Sequence, residues 1–396
     1  MKLYFITEAR FFKDKEGHIY GLQSFGTDMW NRYLEVFSEI TVIARIQSIQ
    51  STEDIPTMQL SDCDKVTFYE IPYYVGILQY LKKKRLVDQT IQKFVEHNKG
   101  IYICRVPGVL GETFAAFLRK NRTPYGVEVV GDPWDVYAPG VISHPLRPIL
   151  RYKGMMSLKK VVQNAAAALY VTQKTLQKRY PVKSNVFQTF ASNVKIESTR
   201  NAFEYNKSDT LNILSIGSLE QMYKAPDVFL KVVKKLHDAG IQVSAKWLGD
   251  GIYKKEMIEL SVEMKIDHIV TFEGNKSRED VQRYLKNADI FLLTSRTEGL
   301  PRVIVEAMSF ALPCVSSRVG GCSELLEESV LVRADDVDSF ADILMKLNSN
   351  RDFYEQQAKR NLLESSNFLE ERLKLNRHKF YNSLINTFRN AHTTLD

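Results

Sequence analysis

The chain has 396 residues, 44% of them hydrophobic and 26% charged, with a net charge of +7. That length suits two domains with separate cores, and the composition is that of a soluble globular protein. No apolar run reaches the roughly 18–20 residues needed to span a bilayer, and the four cysteines lack disulfide or metal spacing, which fits a reducing, cytoplasmic compartment.

The opening stretch, MKLYFITEARFFKD, reads as a first strand and not as a signal peptide. Apolar runs then alternate with helical stretches. Strands are predicted at Leu3–Thr7, Ile40–Ala44, Val66–Tyr69, Ile101–Cys104, Val127–Val130 and Ala168–Val171. Helices are predicted at Thr27–Phe37, Leu78–His97, Thr113–Asn121, Leu158–Ala166 and Lys174–Tyr180. The segment Ala191–Leu211 is polar and without period, and breaks the pattern. Alternation restarts with strands at Leu211–Ile216, Val243–Leu248, Ile269–Phe272, Ile290–Leu293, Cys314–Val315 and Val330–Val332. Helices are expected between them, then at Ser339–Leu347 and over a last region near Arg351–Arg389. Such alternation implies an α/β chain with mostly parallel sheets. The expected division is a domain over 1–192, a linker over 193–210, a domain over 211–365, and a helical segment over 366–396 that packs back on the first domain.

Charge is unevenly placed. Residues 1–200 carry 28 Lys+Arg against 18 Asp+Glu, or +10, and the remainder carries 26 against 29, or −3. Two stretches mix basic and apolar residues, Ile77–Arg85 and Pro145–Lys160. They read either as a solvated face or as a surface for anionic lipid. No nucleic-acid module accompanies them, so nucleic acid is not an expected partner.

The chemistry concentrates in the second half. Asn287–Ser317 reads strand, tight loop, helix, strand. Pro301 suits the first position of the helix, and a helix N-terminus after a parallel strand is a ready anion site. Glu298 and Glu306 bracket it. Upstream, Gly217-Ser218 ends one strand, with Lys224 just ahead of the next helix. A lysine there can neutralise a diphosphate. Gly249-Asp250-Gly251 and Phe272-Glu273-Gly274 end two further strands, and Gly320-Gly321 follows a fourth. The turns fall on one sheet edge, where open α/β sheets bind ligands.

In that order and spacing, Gly217–Lys224, Gly249-Asp250-Gly251, Phe272-x-Gly274 and Glu298-Gly299-Leu300-Pro301…Glu306-Ala307 resemble retaining glycosyltransferases of family 4, with the GT-B fold. The resemblance covers about 211–335 and is looser in the first half, at Gly131-Asp132-Pro133-Trp134-Asp135 and Tyr170-Val171-Thr172. It is to the bacterial members that build surface polysaccharides. It implies two Rossmann-like domains facing a central cleft and transfer of a sugar from a nucleoside diphosphate donor, UDP-linked, to a glycan or lipid-linked acceptor. Glu306 would bind the ribose hydroxyls, and Glu298 would face the donor sugar and diphosphate. Gly299 and Leu300 amides would hold a phosphate, and Lys224 would stabilise the leaving diphosphate. Gly217, Ser218, Gly249, Asp250, Phe272, Gly274 and Arg302 would complete the donor site, and Asp132 would either serve in catalysis as a sugar ligand or be a turn aspartate before Pro133. Ser218 stands where the family often has arginine, and Gly131-Asp132 where it often has histidine. With no Asp-x-Asp loop, neither metal nor cofactor is expected. The rival readings are a nucleotide-sugar epimerase of the same fold and a non-catalytic partner subunit. A cytoplasmic protein peripheral to the cell membrane is the expected location.

Overall fold

A computed structural model describes residues 1–22, 25–50, 58–138, 145–199 and 209–393. The chain forms two compact units. One comprises Met1–Pro133, Tyr152–Ala191 and Lys374–Asp396, the other Trp134–Arg151 and Ser192–Leu373. Neither is one contiguous stretch, unlike the expected 1–192 and 211–365. Of the expected linker, 200–208 lies outside the described residues. Lys195 and Ile196 belong to the second unit, where Arg278 donates to the Lys195 carbonyl (3.1 Å) and Glu370 N–H donates to that of Ile196 (2.9 Å).

The first unit holds strands β1 (Lys2–Lys13), β2 (Ile19–Leu22), β3 (Glu39–Ser48), β4 (Met58–Leu60), β5 (Val66–Ile71), β6 (Ile101–Val106), β7 (Tyr125–Val129), β8 (Ala167–Tyr170) and β9 (Phe187–Phe190). Parallel pairing runs β5-β3-β1-β6-β7-β8-β9. The first half of β1 sits in the middle of this sheet. After an irregularity between Ile6 and Arg10, its second half pairs antiparallel with β2, which pairs with β4. That antiparallel extension and β9 are not predicted from sequence. Central strands are buried on both faces, which is why their runs are continuously apolar: Phe5, Ile6, Ile103 and Val127 are all fully buried.

The helix over Arg147–Gln163 starts eleven residues before the predicted Leu158. The predicted helical region after Arg351 is two helices, Arg351–Ser365 and Glu370–Thr393. From Lys374 onward the latter packs on the first unit. Tyr381 stacks near Tyr33 and Phe37 (5.4 and 5.5 Å between rings), and Lys374 and His378 both bond Glu35 (2.8 and 2.9 Å).

The second unit has one parallel sheet of β10 (Leu211–Ile216), β11 (Val243–Leu248), β12 (Val270–Gly274), β13 (Ile290–Leu293), β14 (Cys314–Ser317) and β15 (Leu331–Val332), ordered β12-β11-β10-β13-β14-β15. This is the doubly wound order, and its direction of winding reverses between β10 and β13. At such a switch point the loops after two adjacent strands diverge to opposite faces and leave a crevice at their carboxyl ends.

Candidate active site

Lys224 follows β10 and Glu298 follows β13, so the two expected charges flank the switch point. Their side chains meet there. Lys224 Nζ donates to Glu298 Oε1 at 2.6 Å, and the side chains are only 14% and 8% exposed. The remaining donors of the ammonium meet no protein acceptor among the described residues. The pair is brought together by backbone placement 74 residues apart in sequence. Thr294, just past β13, donates through Oγ1 to the carbonyls of Lys224 and Ala225 (3.2 and 2.9 Å). The lysine stem lies across Gly217, where an added Cβ would stand 3.2 Å from Lys224 Cγ.

The glycine turns are locked to one another. Gly217 N–H donates to the Leu248 carbonyl (2.9 Å), and Trp247 Nε1 donates to the Gly217 carbonyl (2.8 Å). Gly249 has φ +134°, and a Cβ there would fall 2.1 Å from the Gly217 oxygen. Gly249 N–H donates to the Gly274 carbonyl (2.9 Å), which ties a third turn to the other two. Phe272 is half-buried and tilted against Trp247 (6.4 Å). Asp250 accepts from the Gly251 amide (2.9 Å) and pairs with Lys254 (3.3 Å). The amide, ahead of the lysine, holds its carboxyl below the usual range. Ser218 is exposed, and its hydroxyl accepts from Glu220 N–H (3.2 Å).

On the other side of the switch point, the helix spans Arg302–Ser309. Pro301 is its N-cap, with ψ 102°, so the helix begins one residue later than predicted. Gly299 is exposed, Leu300 half-buried and Arg302 exposed. The Gly299 carbonyl accepts from Gly321 N–H (2.6 Å). Gly320, at φ +49°, lies so close that a Cβ would reach 1.9 Å from the Glu298 oxygen. The carboxylate of Glu306, inside the helix, accepts no hydrogen bond and forms no ion pair among the described residues. Burial pushes its carboxyl up, against the opposing pull of Arg302 and Arg278. Cys322 is buried beside Glu298, and burial pushes its thiol up to about 12, so it stays a neutral packing group.

Asp132 belongs to the other unit. It is 5% exposed, and its two oxygens are engaged by Arg179 and by the Tyr180 hydroxyl. A residue that sequence reasoning missed is Arg296, between Thr294 and Glu298. It gave no signal beyond a charge in a loop, because its partners are 39 to 74 residues away.

Residues 197–362 match the family glycosyl transferases group 1. Protein CapJ of Staphylococcus aureus is 27% identical over 98% of this chain and 97% of its own length. The amylovoran biosynthesis glycosyltransferase AmsK of Erwinia amylovora is 33% identical over 35% of this chain and 36% of its own. Among solved structures, Anabaena HepE in complex with UDP and glucose superposes with a TM-score of 0.63 at 15% identity, over 97% of this chain and all of that one. With a six-stranded doubly wound sheet, paired charges at its switch point and these likenesses, the chain has the GT-B fold, and its residues 197–362 are similar to glycosyl transferases group 1.

Proposed function

We propose that the protein is a hexosyltransferase that moves a sugar from a UDP-sugar, with retention, to a glycan or lipid-linked acceptor in the synthesis of cell-surface polysaccharide. The observation that carries the donor half is the Lys224–Glu298 pair at the switch point. Cleaving a sugar–phosphate bond puts charge on the leaving diphosphate, and a preorganised ammonium stabilises that charge most where water is excluded. Glu298 holds the ammonium in place until the diphosphate arrives. The resemblance to HepE supports UDP, and the resemblance to AmsK supports a polysaccharide product. Asp132, tied between Arg179 and Tyr180, supports its own loop in this reading and does not contact sugar. The test is release of UDP from a panel of UDP-sugars, with NMR of the product anomer. No release from any of them, or an inverted product, overturns the reading. Because Lys224 supplies the cation, excess EDTA is expected to leave UDP release unchanged. Loss that manganese or magnesium restores would show a metal at the diphosphate.

Glu306 is the proposed ribose ligand. Its unpartnered carboxylate is costly at neutral pH: a raised carboxyl favours the fold below the ordinary carboxylate range, and that contribution is lost as pH rises through the raised value. Glu306→Gln is therefore expected to raise the melting temperature of the ligand-free protein at pH 7. Glu306→Ala is expected to weaken UDP binding by about 1.5–3 kcal/mol, the worth of a hydrogen bond to a charged group. Calorimetry that shows equal UDP affinity removes Glu306 from the site.

The acceptor half rests on the first unit. No helix among the described residues is long and apolar enough to cross a membrane. The helix Gly76–His97 instead opens with exposed Ile77, Leu78 and Leu81 followed by exposed Lys82, Lys83, Lys84 and Arg85. Leu78 is 74% exposed. Apolar residues beside a cationic run suit the anionic inner face of a cell membrane, at about 1 kcal/mol per basic residue. Changing all four basic residues to glutamine is expected to abolish low-salt sedimentation with anionic phospholipid vesicles and to leave UDP binding intact. A wild-type protein that ignores such vesicles points to a soluble acceptor.

A further inference from the structure

The turn that carries Lys224 has little reason to keep its shape unaided. Met222–Lys224 is a single 3-10 turn, and Ala225 after it is left-handed at φ +52°, a conformation that costs a residue with a Cβ about 1–3 kcal/mol. Such a backbone persists only where neighbours over-determine it. Thr294 holds its exit through the Lys224 and Ala225 carbonyls, and the neighbour that holds the rest is Arg296. Its Nη1 donates to the Met222 carbonyl (2.8 Å), and its own backbone N–H donates to the Tyr223 carbonyl (2.7 Å). Nη1 and Nη2 then fork onto both oxygens of Asp227 (3.1 and 2.8 Å), in the first turn of the helix that follows Lys224. Nε donates to Asp335 Oδ1 (2.8 Å). One planar guanidinium thus spans the turn from its start to its exit. Its side chain is 19% exposed, and it sits two residues before Glu298, the partner of Lys224. Only the arginine fork can meet the Asp227 carboxylate and the Met222 carbonyl together, since a lysine offers a single point charge.

We propose that Arg296 is a positioning residue which fixes the Lys224 turn and so holds the ammonium at the site of the leaving diphosphate. This rests on the role given to Lys224 above. Arg296 touches no substrate in this scheme and acts through Lys224. Misplacing a charged group by about 1 Å can cost about a hundredfold in turnover.

The experiment uses the full chain with Arg296→Gln, Arg296→Lys, Asp227→Asn, Lys224→Ala, and the Lys224→Ala/Arg296→Gln double variant. Three quantities are read: hydrogen exchange of the amides over 222–228, affinity for UDP by calorimetry, and the rate of UDP release from whichever of UDP-glucose, UDP-galactose or UDP-N-acetylglucosamine the wild type cleaves fastest. Arg296→Gln and Asp227→Asn should speed exchange in that segment and lower turnover by about ten- to a hundredfold. UDP affinity should change far less. Arg296→Lys should recover only part of the rate. The decisive arm is the double variant. If Arg296 works through Lys224, it should be no slower than Lys224→Ala alone, because effects within one unit do not add. Unchanged exchange in both Arg296→Gln and Asp227→Asn overturns the proposal, as does an equal loss of turnover with and without Lys224. If Arg296→Gln does not fold, Asp227→Asn and its double variant with Lys224→Ala carry the same comparison. Wild-type turnover in Lys224→Ala would instead overturn the role of Lys224 while exchange still reports on the turn, so the two failures are distinguishable.

Discussion

Lys224→Ala is expected to lower turnover by about 10²–10³-fold, equivalent to about 2.7–4 kcal/mol of barrier, while UDP affinity falls much less. The asymmetry follows from where the charge develops. A diphosphate gains negative charge as the sugar–oxygen bond breaks, so an ammonium poised there favours the transition state over the bound donor. The variant also leaves Glu298 in an 8% exposed position without its cation. Stripping one member from a buried pair costs about 3–5 kcal/mol of stability. Lys224→Ala/Glu298→Gln separates the two effects: it should regain much of the lost thermal stability and none of the lost rate. Steady-state kinetics with melting curves on the three proteins make the check. Full turnover in Lys224→Ala would remove it from catalysis.

Gly320→Ala should act from outside the charged pair and yet disable it. The backbone of Gly320 is left-handed, and a methyl would sit 1.9 Å from the Glu298 oxygen and 2.8 Å from that of Gly299. Both obstacles are main chain, so no rotamer change relieves them. The loop Glu298–Leu300 has to move, and with it the carboxylate that holds Lys224. A destabilisation of about 3 kcal/mol is expected, together with loss of UDP binding. Gly240→Ala is the control: it is also left-handed, at φ +80°, but nothing lies within 4 Å of its missing Cβ. It should cost stability through strain alone and leave UDP affinity intact. Equal UDP affinity in Gly320→Ala would mean that the loop tolerates displacement.

The parts of this chain that read cleanly from sequence are those whose signal is local. In the second unit Ile290–Leu293 is a continuous apolar run because it is buried on both faces, Leu211–Ile216 and Val243–Leu248 are largely apolar and largely buried, and all three end in a glycine or polar turn. What escaped had no such need. Phe187–Phe190 is an edge strand, its residues exposed or half-buried, so it carries no apolar run. Ile19–Leu22 and Met58–Leu60 are four- and three-residue strands, the first paired with the far half of β1 and the second with the first. The helix over Arg147–Gln163 opens with exposed Ile149 among basic residues, and shows its buried face only from Leu158. At the site, glycine turns and carboxylate spacing mark Gly217, Gly249, Glu298 and Glu306. That Lys224 reaches Glu298, that Arg179 and Tyr180 claim Asp132, and that Arg296 grips the Lys224 turn are contacts across 47 to 74 residues. No local pattern announces them.

The last helix has a bearing on how the chain is made. Its residues from Lys374 onward complete a unit that begins at Met1, with Tyr381 closing over Tyr33 and Phe37. The ribosome therefore releases most of that unit long before its final piece exists. At about 5–20 residues per second, the intervening stretch Ser192–Leu373 takes about 10–40 s to emerge. Through that interval the face awaiting Tyr381 is open on the nascent chain, while the second unit is threaded out and can close on itself. Vectorial synthesis thus finishes the two halves in the reverse of the order in which it starts them, and a chaperone that shields the waiting aromatic face has that window in which to act.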